Sequence, residues 1–488
     1  MSYGIMPISN NCHQGYFMFR QLSKRAKQNL KLLSVLVFGL IIWFFPVPEG
    51  LTVQAWHLFA VFITAIFAVI IDAMPIFTSS IIALAVTVLT GTLSTKQAYS
   101  GFSEAFILLI IVAFLIARGV IKSGLGKRIA FLIIKKFGTS SLKLSYSVVA
   151  ADMLISPAFP SNTARSGVLF PIVNALAADS GSKVTNGTRK KLGAFLMMTS
   201  MAGITLSSTL WMTAMAANPA GAKMAKEVGI EITYGSWALA ASVPVLILFF
   251  LVPWVIFKVY PPEIKETPDA PKIAEEALQK MGPVHRNEWI MAATFIGMVT
   301  LWVMSTSWGL DKTAVAFLGL GVLMVTHIFT MEDLRNEGDA LGTLVWFAIL
   351  YAMSKYLNEL GFMGWVGDHI ATSVAGFSWP VVYVSLVVGY VLIHYFFVSQ
   401  TAQMLALFSV FLSVAMQAGV PAEMMAYMLL FATNFNAIIT PQGSSANVIY
   451  TGSGYIEPGE VYKVGGIVTL VNTVVFLTVG SAWMMLIL

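Results

Sequence analysis

Apolar segments long enough to cross a lipid bilayer recur along this 488-residue chain and constrain its fold more than any other feature. A membrane-spanning helix needs about 20 predominantly apolar residues. Only 11% of the residues are charged, whereas soluble domains carry about 25%. We therefore predict an all-α polytopic membrane protein and exclude a soluble enzyme, a disulfide scaffold and a disordered chain. About eleven segments fit a single crossing: 31–46, 54–74, 78–95, 102–122, 188–210, 234–258, 287–305, 312–330, 340–358, 421–440 and 463–487.

Two further apolar segments, 140–178 and 378–418, are too long for one crossing and are interrupted near the middle by small polar residues. The interruptions carry similar tripeptides, Ser161-Asn162-Thr163 in the first segment and Ser399-Gln400-Thr401 in the second. Each segment is therefore predicted to form a re-entrant hairpin, which enters the membrane and returns to the same side. Irregular backbone at membrane depth is tolerated only where protein encloses it or where it lines a polar cavity. The two hairpin tips are thus the first candidates for a functional site.

Polar segments divide the chain into two halves. The predicted organisation is a basic tail (1–30), a first transmembrane helix (31–52), a first repeat (53–258), a linker (259–286) and a second repeat (287–488). Each repeat also contains a helix broken by Pro, Gly or hydroxyl residues, at 188–224 and at 421–456. Basic loops favour the cytoplasmic side, which predicts a cytoplasmic tail and a solvent-exposed cytoplasmic linker. A short helix at 272–281 is considered within this linker. The net charge of +6 gives no support for nucleic-acid binding, because no solvated basic domain carries it.

Landmarks at a constant spacing predict that the two halves are repeats. Three pairs share this spacing: Arg118 and Lys355 are 237 residues apart, Gly124 and Gly361 are 237 apart, and Ser161 and Ser399 are 238 apart. Each repeat has five crossings and one hairpin, and an odd number of crossings inverts the second repeat relative to the first. Inverted repeats with discontinuous helices are typical of secondary transporters, which hold their substrate near the membrane midplane. The alternative is a chance similarity between apolar, glycine-containing helices.

The polar groups at the two tips suit an anionic ligand. Each tripeptide precedes a predicted helix, and a helix N-terminus offers unpaired N–H groups and about half a positive charge. Two tips that face each other from opposite sides would hold a dicarboxylate, with one carboxyl group in each repeat. The alternative is that each tripeptide is an ordinary helix cap, for which Ser, Thr and Asn are common residues.

Two residues near the tips are candidates for supplying positive charge. Arg165 follows the first tip and could pair either with a substrate carboxylate or with Asp152 across the hairpin. His394 precedes the second tip and is interpreted either as a buried core histidine or as a proton carrier. The single cysteine, Cys12, cannot form an internal disulfide, and no Cys/His spacing predicts a metal site. No phosphate-binding loop or catalytic motif occurs, so neither a cofactor nor an enzymatic activity is predicted.

With these residues in view, nearly the whole chain after residue 30 resembles the divalent anion:sodium symporter family. The resemblance is carried by Pro160-Ser161-Asn162-Thr163-Ala164-Arg165, by Phe397-Val398-Ser399-Gln400-Thr401-Ala402, and by Ser445-Ala446-Asn447 with Thr451-Gly452-Ser453-Gly454-Tyr455. The family has a Ser-Asn-Thr motif at each tip, which binds substrate carboxylates, and a Thr-Pro-Pro-Asn stretch in each broken helix. The resemblance implies substrate-binding roles for Ser161, Asn162, Thr163, Ser399, Gln400, Thr401, Ser444, Ser445, Asn447 and Asn218.

Departures from the family pattern favour one of its branches. Gln400 replaces an asparagine, and Pro157 and Tyr395 stand where sodium-coupled members have small hydroxyl residues. The chain is more similar to the exchanger branch, the 2-oxoglutarate/malate and citrate/succinate translocators. That similarity implies sodium-independent exchange of di- and tricarboxylates by a homodimer, whose protomers each move a transport domain like an elevator against a fixed scaffold. Arg165 or a protonated His394 would then replace the charge of sodium.

Three alternatives stay open at this stage: a sodium-coupled dicarboxylate symporter of the same family, an anion channel, and a membrane-embedded enzyme. The enzyme is the weakest of them, because the sequence contains no catalytic motif. The expected partners are small dicarboxylate anions, the lipid bilayer and a second copy of the chain. Without a long Ser/Arg-rich transit segment, a bacterial cytoplasmic membrane is expected rather than a plastid envelope.

Overall fold

The computed structural model describes residues 24–374 and 376–488, which are built mainly of helices. Within these residues, ten helices are long and apolar enough to cross a membrane. The prediction of an all-α polytopic membrane protein is therefore confirmed. The helices of eight or more residues are Lys24–Phe44, Val53–Ile70, Ile76–Leu89, Ala105–Ser123, Leu125–Phe137, Ser141–Ile155, Asn162–Asp179, Gly193–Leu210, Ala217–Glu227, Tyr234–Val259, Asp269–Met281, Arg286–Val303, Lys312–Val325, Gly338–Glu359, Phe362–Val374, Trp379–Ile393, Gln400–Gln417, Ala422–Phe435, Ser445–Gly452 and Pro458–Ile487.

A helix lies in each of the segments predicted to cross the membrane once, although the ends differ. The first helix, Lys24–Phe44, begins inside the predicted tail, of which residues 1–23 lie outside the described residues. Its first turns are rich in Lys, Arg, Ala and Gln, which are good helix formers. It ends before Pro46 and Pro48, well short of residue 52. Ile76–Leu89 and Lys312–Val325 are short apolar helices of 14 residues each.

Both long apolar segments contain the predicted interruption. Hairpin 1 consists of Ser141–Ile155 and Asn162–Asp179, and hairpin 2 consists of Trp379–Ile393 and Gln400–Gln417. The arms have the same lengths in the two hairpins, 15 residues before the tip and 18 after it. In each hairpin the first arm ends in a single 3-10 turn, followed by extended backbone up to the serine of the tip. This arrangement places the two tripeptides at helix starts.

Two helices are broken, as their Pro, Gly and hydroxyl residues predict. Broken helix 1 comprises Gly193–Leu210 and Ala217–Glu227, with extended backbone at Trp211. Broken helix 2 comprises Ala422–Phe435 and Ser445–Gly452, with the break centred near Thr440. The spans Gly193–Leu210 and Ala422–Ile439 are the most enclosed of the described chain, because 94% and 89% of their residues are buried. The breaks, and the groups they expose, therefore lie in the interior of the molecule.

Most residues of the linker are exposed or half-buried, in keeping with its polar composition. Thirteen of its residues form the helix Asp269–Met281, which packs against Leu125–Phe137 and buries Ala270 and Ala274. Lys135 forms an ion pair with Glu275 at 2.9 Å. This helix includes the segment 272–281 considered as a helix from the sequence, and its buried positions lie on one face. The linker is thus attached to the helix that precedes hairpin 1.

Candidate functional site

The two hairpin tips lie against each other. Asn162 Nδ2 donates a hydrogen bond to Gln400 Oε1 at 3.1 Å, and these two side chains are 7% and 4% exposed. Thr401 is buried beside Gln400, with 8% of its surface exposed. The contact joins residues 238 positions apart in the sequence. Ser161, Thr163 and Ser399 are partly exposed next to this contact.

The serine of each tip caps the helix that follows it. Ser161 Oγ accepts a hydrogen bond from the backbone N–H of Ala164 at 3.2 Å, and Ser399 Oγ accepts one from Ala402 at 3.3 Å. The helix-cap alternative considered for these residues therefore describes a real contact. Because the serine oxygens act only as acceptors in the caps, their hydroxyl hydrogens stay free to donate to a ligand.

Arg165 is fully buried and donates a hydrogen bond to the first tip. Its guanidinium donates to Asn162 Oδ1 at 2.6 Å and to Ser208 Oγ at 2.5 Å. Ser208 Oγ also donates to Asn162 Oδ1, at 2.8 Å. The side-chain oxygen of Asn162 is thus bonded to Arg165 and Ser208, and this orients its NH₂ group toward Gln400.

The charge of Arg165 is matched inside the protein. Its guanidinium lies 3.4 Å from Asp152 Oδ2 and donates to Ser207 Oγ at 2.5 Å. Ser207 in turn donates to Asp152. Of the two pairings considered for Arg165, the structure contains the one with Asp152. A buried ion pair of this kind carries no net charge, so Arg165 acts on the tip through Asn162.

Gln400, in the second half of the chain, is fixed in a corresponding way by backbone carbonyls of that same half. Its Nε2 donates to the backbone carbonyl of Thr433 at 2.8 Å and to that of Asn434 at 3.2 Å. Both carbonyls belong to the last turns of the first half of broken helix 2. The amide hydrogens of Gln400 are therefore occupied, and its Oε1 points to the first tip as an acceptor.

His394 connects hairpin 2 to the second break. Its Nδ1 lies 2.6 Å from Gln403 Oε1, and its Nε2 lies 2.8 Å from the backbone carbonyl oxygen of Gly443. The ring is fully buried. Gln403 Nε2 donates to the carbonyl of Tyr390 at 2.7 Å, which orients Oε1 toward the histidine. A neutral imidazole satisfies one of these two acceptors, whereas a protonated ring satisfies both.

Asn218 and Asn447 stabilise the two breaks. The amide nitrogens donate to carbonyls freed by the breaks: Asn218 Nδ2 to Ser208 at 3.0 Å and Trp211 at 3.3 Å, and Asn447 Nδ2 to Ala437 at 2.7 Å and Thr440 at 2.9 Å. Asn218 Oδ1 also accepts from Asn434 Nδ2 at 2.8 Å, which links the breaks to each other. The amide hydrogens of both candidates are therefore committed to backbone oxygens.

The second half of broken helix 2 completes the first tip. Thr163 Oγ1 lies 2.5 Å from Ser445 Oγ, and Ser444 caps this helix by accepting from Ala446 N at 3.3 Å. All ten candidate binding residues thus belong to the tips or to the breaks that support them. Ser207 and Ser208 lie in the hydroxyl-rich stretch that marks the first break in the sequence, whereas the supporting residues Gln403 and Asn434 were not predicted. Each of them is a polar side chain within an otherwise apolar span. This pattern alone does not show which group the side chain binds.

The arrangement combines two capped helix starts with partly exposed hydroxyl groups and one oriented amide NH₂ group. These groups are hydrogen-bond donors, and the helix starts contribute partial positive charge at the same place. Carboxylates match such donors well, because an ionised carboxylate is purely an acceptor. The geometry therefore suits a small anion at each tip.

Comparison with known proteins identifies relatives along nearly the whole chain. The family model described as the sodium:sulfate symporter transmembrane region matches residues 26–488. A putative malate transporter, YflS, of Bacillus subtilis is 45% identical over 94% of this chain and 96% of its own length. The chloroplastic dicarboxylate transporter 1 of Spinacia oleracea is 41% identical over 93% of this chain and 80% of its own. The inner membrane protein YbhI of Escherichia coli is 33% identical over 93% and 96%.

A solved structure supports the same fold. The YdaH transporter of Alcanivorax borkumensis superimposes with a TM-score of 0.54, covering 80% of this chain and 87% of that one. The two sequences are 16% identical, so this likeness concerns the fold alone.

Proposed function

Because the chain belongs to the sodium:sulfate symporter family, the divalent anion:sodium symporters, and is thus a membrane transporter and not an enzyme, we propose that it exchanges dicarboxylates. The proposed substrates are di- and tricarboxylates of the 2-oxoglutarate, malate and succinate type, exchanged without sodium. Relatives named as malate and dicarboxylate transporters support this substrate class. Bacterial relatives, one of them an inner membrane protein, support a location in a bacterial cytoplasmic membrane.

The contact between Asn162 and Gln400 carries the proposal. It brings the two helix starts close enough for one small molecule to touch both tips. One carboxylate of the substrate would accept from the Asn162 NH₂ group and from Ser161, and the other from the hydroxyl groups of Ser399 and Thr401. Since the Gln400 hydrogens are already donated to backbone carbonyls, Gln400 orients Asn162, and its Oε1 is the group that would accept from a substrate hydroxyl.

Hydrogen-bond donors polarised by buried groups close to the tips support exchange without sodium. Arg165 polarises Asn162 through its bond to Oδ1, and a protonated His394 would place a cation between hairpin 2 and the second break. These groups would offset a dianion in an interior of low dielectric, where an uncompensated charge is costly. An empty carrier would then have unmatched polar groups, and this would favour reorientation only with substrate bound.

The way in which the breaks are built supports a duplicated and inverted architecture. Asn218 binds the carbonyls of residues seven and ten positions before it, and Asn447 does the same in the other half. We infer that the hairpins and broken helices form a transport domain, which moves like an elevator against a scaffold of the other spans. A homodimer, with the scaffolds in contact, would keep these fixed in the bilayer.

Counterflow in proteoliposomes tests the proposed function. Vesicles loaded with unlabelled malate should take up labelled 2-oxoglutarate, succinate, malate or citrate, whereas vesicles without internal substrate should take up very little. Uptake should be the same with sodium or potassium salts, because polarised donors at the tips, rather than a bound sodium ion, offset the substrate charge.

Two outcomes would contradict the proposal. If vesicles without internal substrate accumulate the labelled acid and this accumulation depends on an inward sodium gradient, the protein is a sodium-coupled symporter. Sodium then offsets the substrate charge. Conductance with no need for substrate on the far side would identify an anion channel.

A further inference from the structure

A polar cavity of about 440 Å³ lies outside the tips, between the starts of Ala105–Ser123 and Lys312–Val325 and the end of Ala217–Glu227. Its volume is several times that of a four-carbon dicarboxylate. Met212 and Pro219, which flank the first break, line the same cavity. The cavity therefore reaches from the surface to the broken helix that carries Asn218.

Six ionisable side chains line this cavity, three lysines and three carboxylates: Lys223, Lys226, Lys312, Glu104, Glu231 and Asp311. The carboxylates are engaged with other groups. Glu104 lies between Lys223 at 3.8 Å and Lys355 at 3.4 Å, and Glu231 pairs with Lys226 at 3.7 Å. Asp311 caps a helix by accepting from the backbone N–H of Ala314 at 2.7 Å.

Lys312 differs from the other two lysines. Among the described residues, no carboxylate lies within 4.0 Å of its ammonium group, which sits 4.7 Å from the centre of the Tyr234 ring. Tyr234 is in turn stacked on Trp302, with ring centres 5.8 Å apart and planes 8° apart. The aromatic pair holds a half-buried cation at the wall of the cavity without neutralising it.

We propose that Lys312 forms a second, peripheral binding site for one carboxylate of the transported acid. Glu231 and Asp311 act on Lys312 only from a distance, and a cation with no carboxylate in direct contact, beside protein walls of low dielectric, concentrates anions near it. A dicarboxylate held there stands next to the first break and can pass on to the tips. The inference rests on the proposed function, since it assigns a waiting position to the same substrate.

The site serves one side of the membrane only. The cavity opens at the start of Ala105–Ser123, while the linker binds near the other end of this helix, where Arg128 donates to the carbonyl of Gly282 at 3.1 Å. If the linker is cytoplasmic, the cavity faces the opposite side. Loss of Lys312 should therefore weaken capture from that side and leave capture from the linker side unchanged.

Sided transport assays with the full-length protein test this assignment. Labelled malate is supplied to right-side-out and to inside-out membrane vesicles that contain unlabelled malate. In Lys312→Gln the KM for malate on the cavity side should rise about three- to tenfold, with an unchanged maximal rate. The difference from the wild type should shrink in 0.5 M salt, since the Debye length is then about 4 Å. Lys312→Arg should keep the wild-type KM.

Lys258→Gln is the matched control, because Lys258 also sits over an aromatic ring, 5.8 Å from Trp254, at the linker end of Tyr234–Val259. This variant should keep the wild-type KM on the cavity side. An unchanged KM in Lys312→Gln, or an equal rise on both sides, overturns the peripheral site. If the wild type itself exchanges no dicarboxylate, the proposed function fails instead. Retained thermal stability of Lys312→Gln in detergent separates weak capture from misfolding.

Discussion

The amide of Asn162 is oriented at both of its ends. Arg165 and Ser208 donate to its oxygen, and its nitrogen donates to Gln400. A side chain with this arrangement offers a donor to the tip gap and cannot rotate without losing buried hydrogen bonds, each of which is costly to leave unmade. Asn162 therefore determines the sign of the potential that a substrate meets at the first tip.

The isosteric substitution Asn162→Asp tests this role at the scale of one residue. An aspartate keeps the acceptor for Arg165 and Ser208, so the protein should fold. Its second oxygen replaces the NH₂ donor and faces both Gln400 Oε1 and the substrate carboxylate. Like charges at such a contact cost several kcal/mol, so exchange should fall by about 100-fold or more. The measurement is malate counterflow at equal amounts of purified protein.

Asn186→Asp is a suitable control, since Asn186 lies in an exposed loop and its side chain bonds to Thr188. This variant adds the same charge away from the tips and should exchange normally. An Asn162→Asp protein with an unaltered KM for malate would show that the first tip does not bind a carboxylate.

At the scale of whole elements, the last helix determines where the second break lies. Pro458–Ile487 passes the break so closely that a Cβ atom on Gly465 would overlap the backbone carbonyl oxygen of Ile438. Ile438 lies in the 3-10 turn that leads into the break. Backbone-to-backbone contact of this kind fixes where the turn lies, because neither partner has a flexible side chain that can give way.

Gly465→Ala should therefore displace the last helix from the second break. Overpacking against rigid backbone should lower the free energy of unfolding by about 1–3 kcal/mol. Thermal unfolding in detergent, followed by tryptophan fluorescence, measures the change. The neighbouring Gly466→Ala is the control, since a Cβ there meets no atom within 4 Å and alanine favours a helix. Equal stability of the two variants would contradict the proposed contact.

At the scale of the whole molecule, two contacts join the proposed scaffold to the proposed transport domain. Glu104 lies 3.8 Å from Lys223 of broken helix 1, and Tyr351 donates to Glu227 of the same helix at 2.6 Å. Glu104 and Tyr351 belong to spans outside the hairpins and broken helices. In an elevator mechanism these contacts must separate during each transport cycle, whereas contacts within the scaffold persist.

Cross-linking should therefore stop exchange at this boundary. Glu104→Cys and Lys223→Cys are combined in a Cys12→Ser background and treated with a short, reducible bifunctional reagent. Malate counterflow should fall to background and return after reduction. Lys122 and Asp333, 2.7 Å apart within the proposed scaffold, give the control pair, whose cross-link should leave exchange intact. Continued exchange by the fully cross-linked 104–223 protein would mean that these elements do not move apart.

The positions of the helices and breaks follow from the sequence because lipid offers no hydrogen-bond partners. Apolar runs of bilayer length must be helical, and Pro, Gly or clustered hydroxyl residues within them mark where the helix ends. For this reason the hairpin tips, both breaks and the polar tripeptides were recognisable without coordinates. The linker helix at 272–281 was also considered, but its packing against Leu125–Phe137 was not predicted, since its packing face is small and its partner lies elsewhere in the chain.

The partners of polar side chains were decided only by the tertiary structure. From sequence, Arg165 could equally bind substrate or Asp152, and Asn218 and Asn447 could bind a ligand as well as the carbonyls that occupy them. The residue that meets Asn162 lies 238 positions away, and no local pattern specifies that distance. Hydrophobicity acts on each segment independently and can be read along the chain, whereas a hydrogen bond depends on the position and direction of two groups that folding alone brings together.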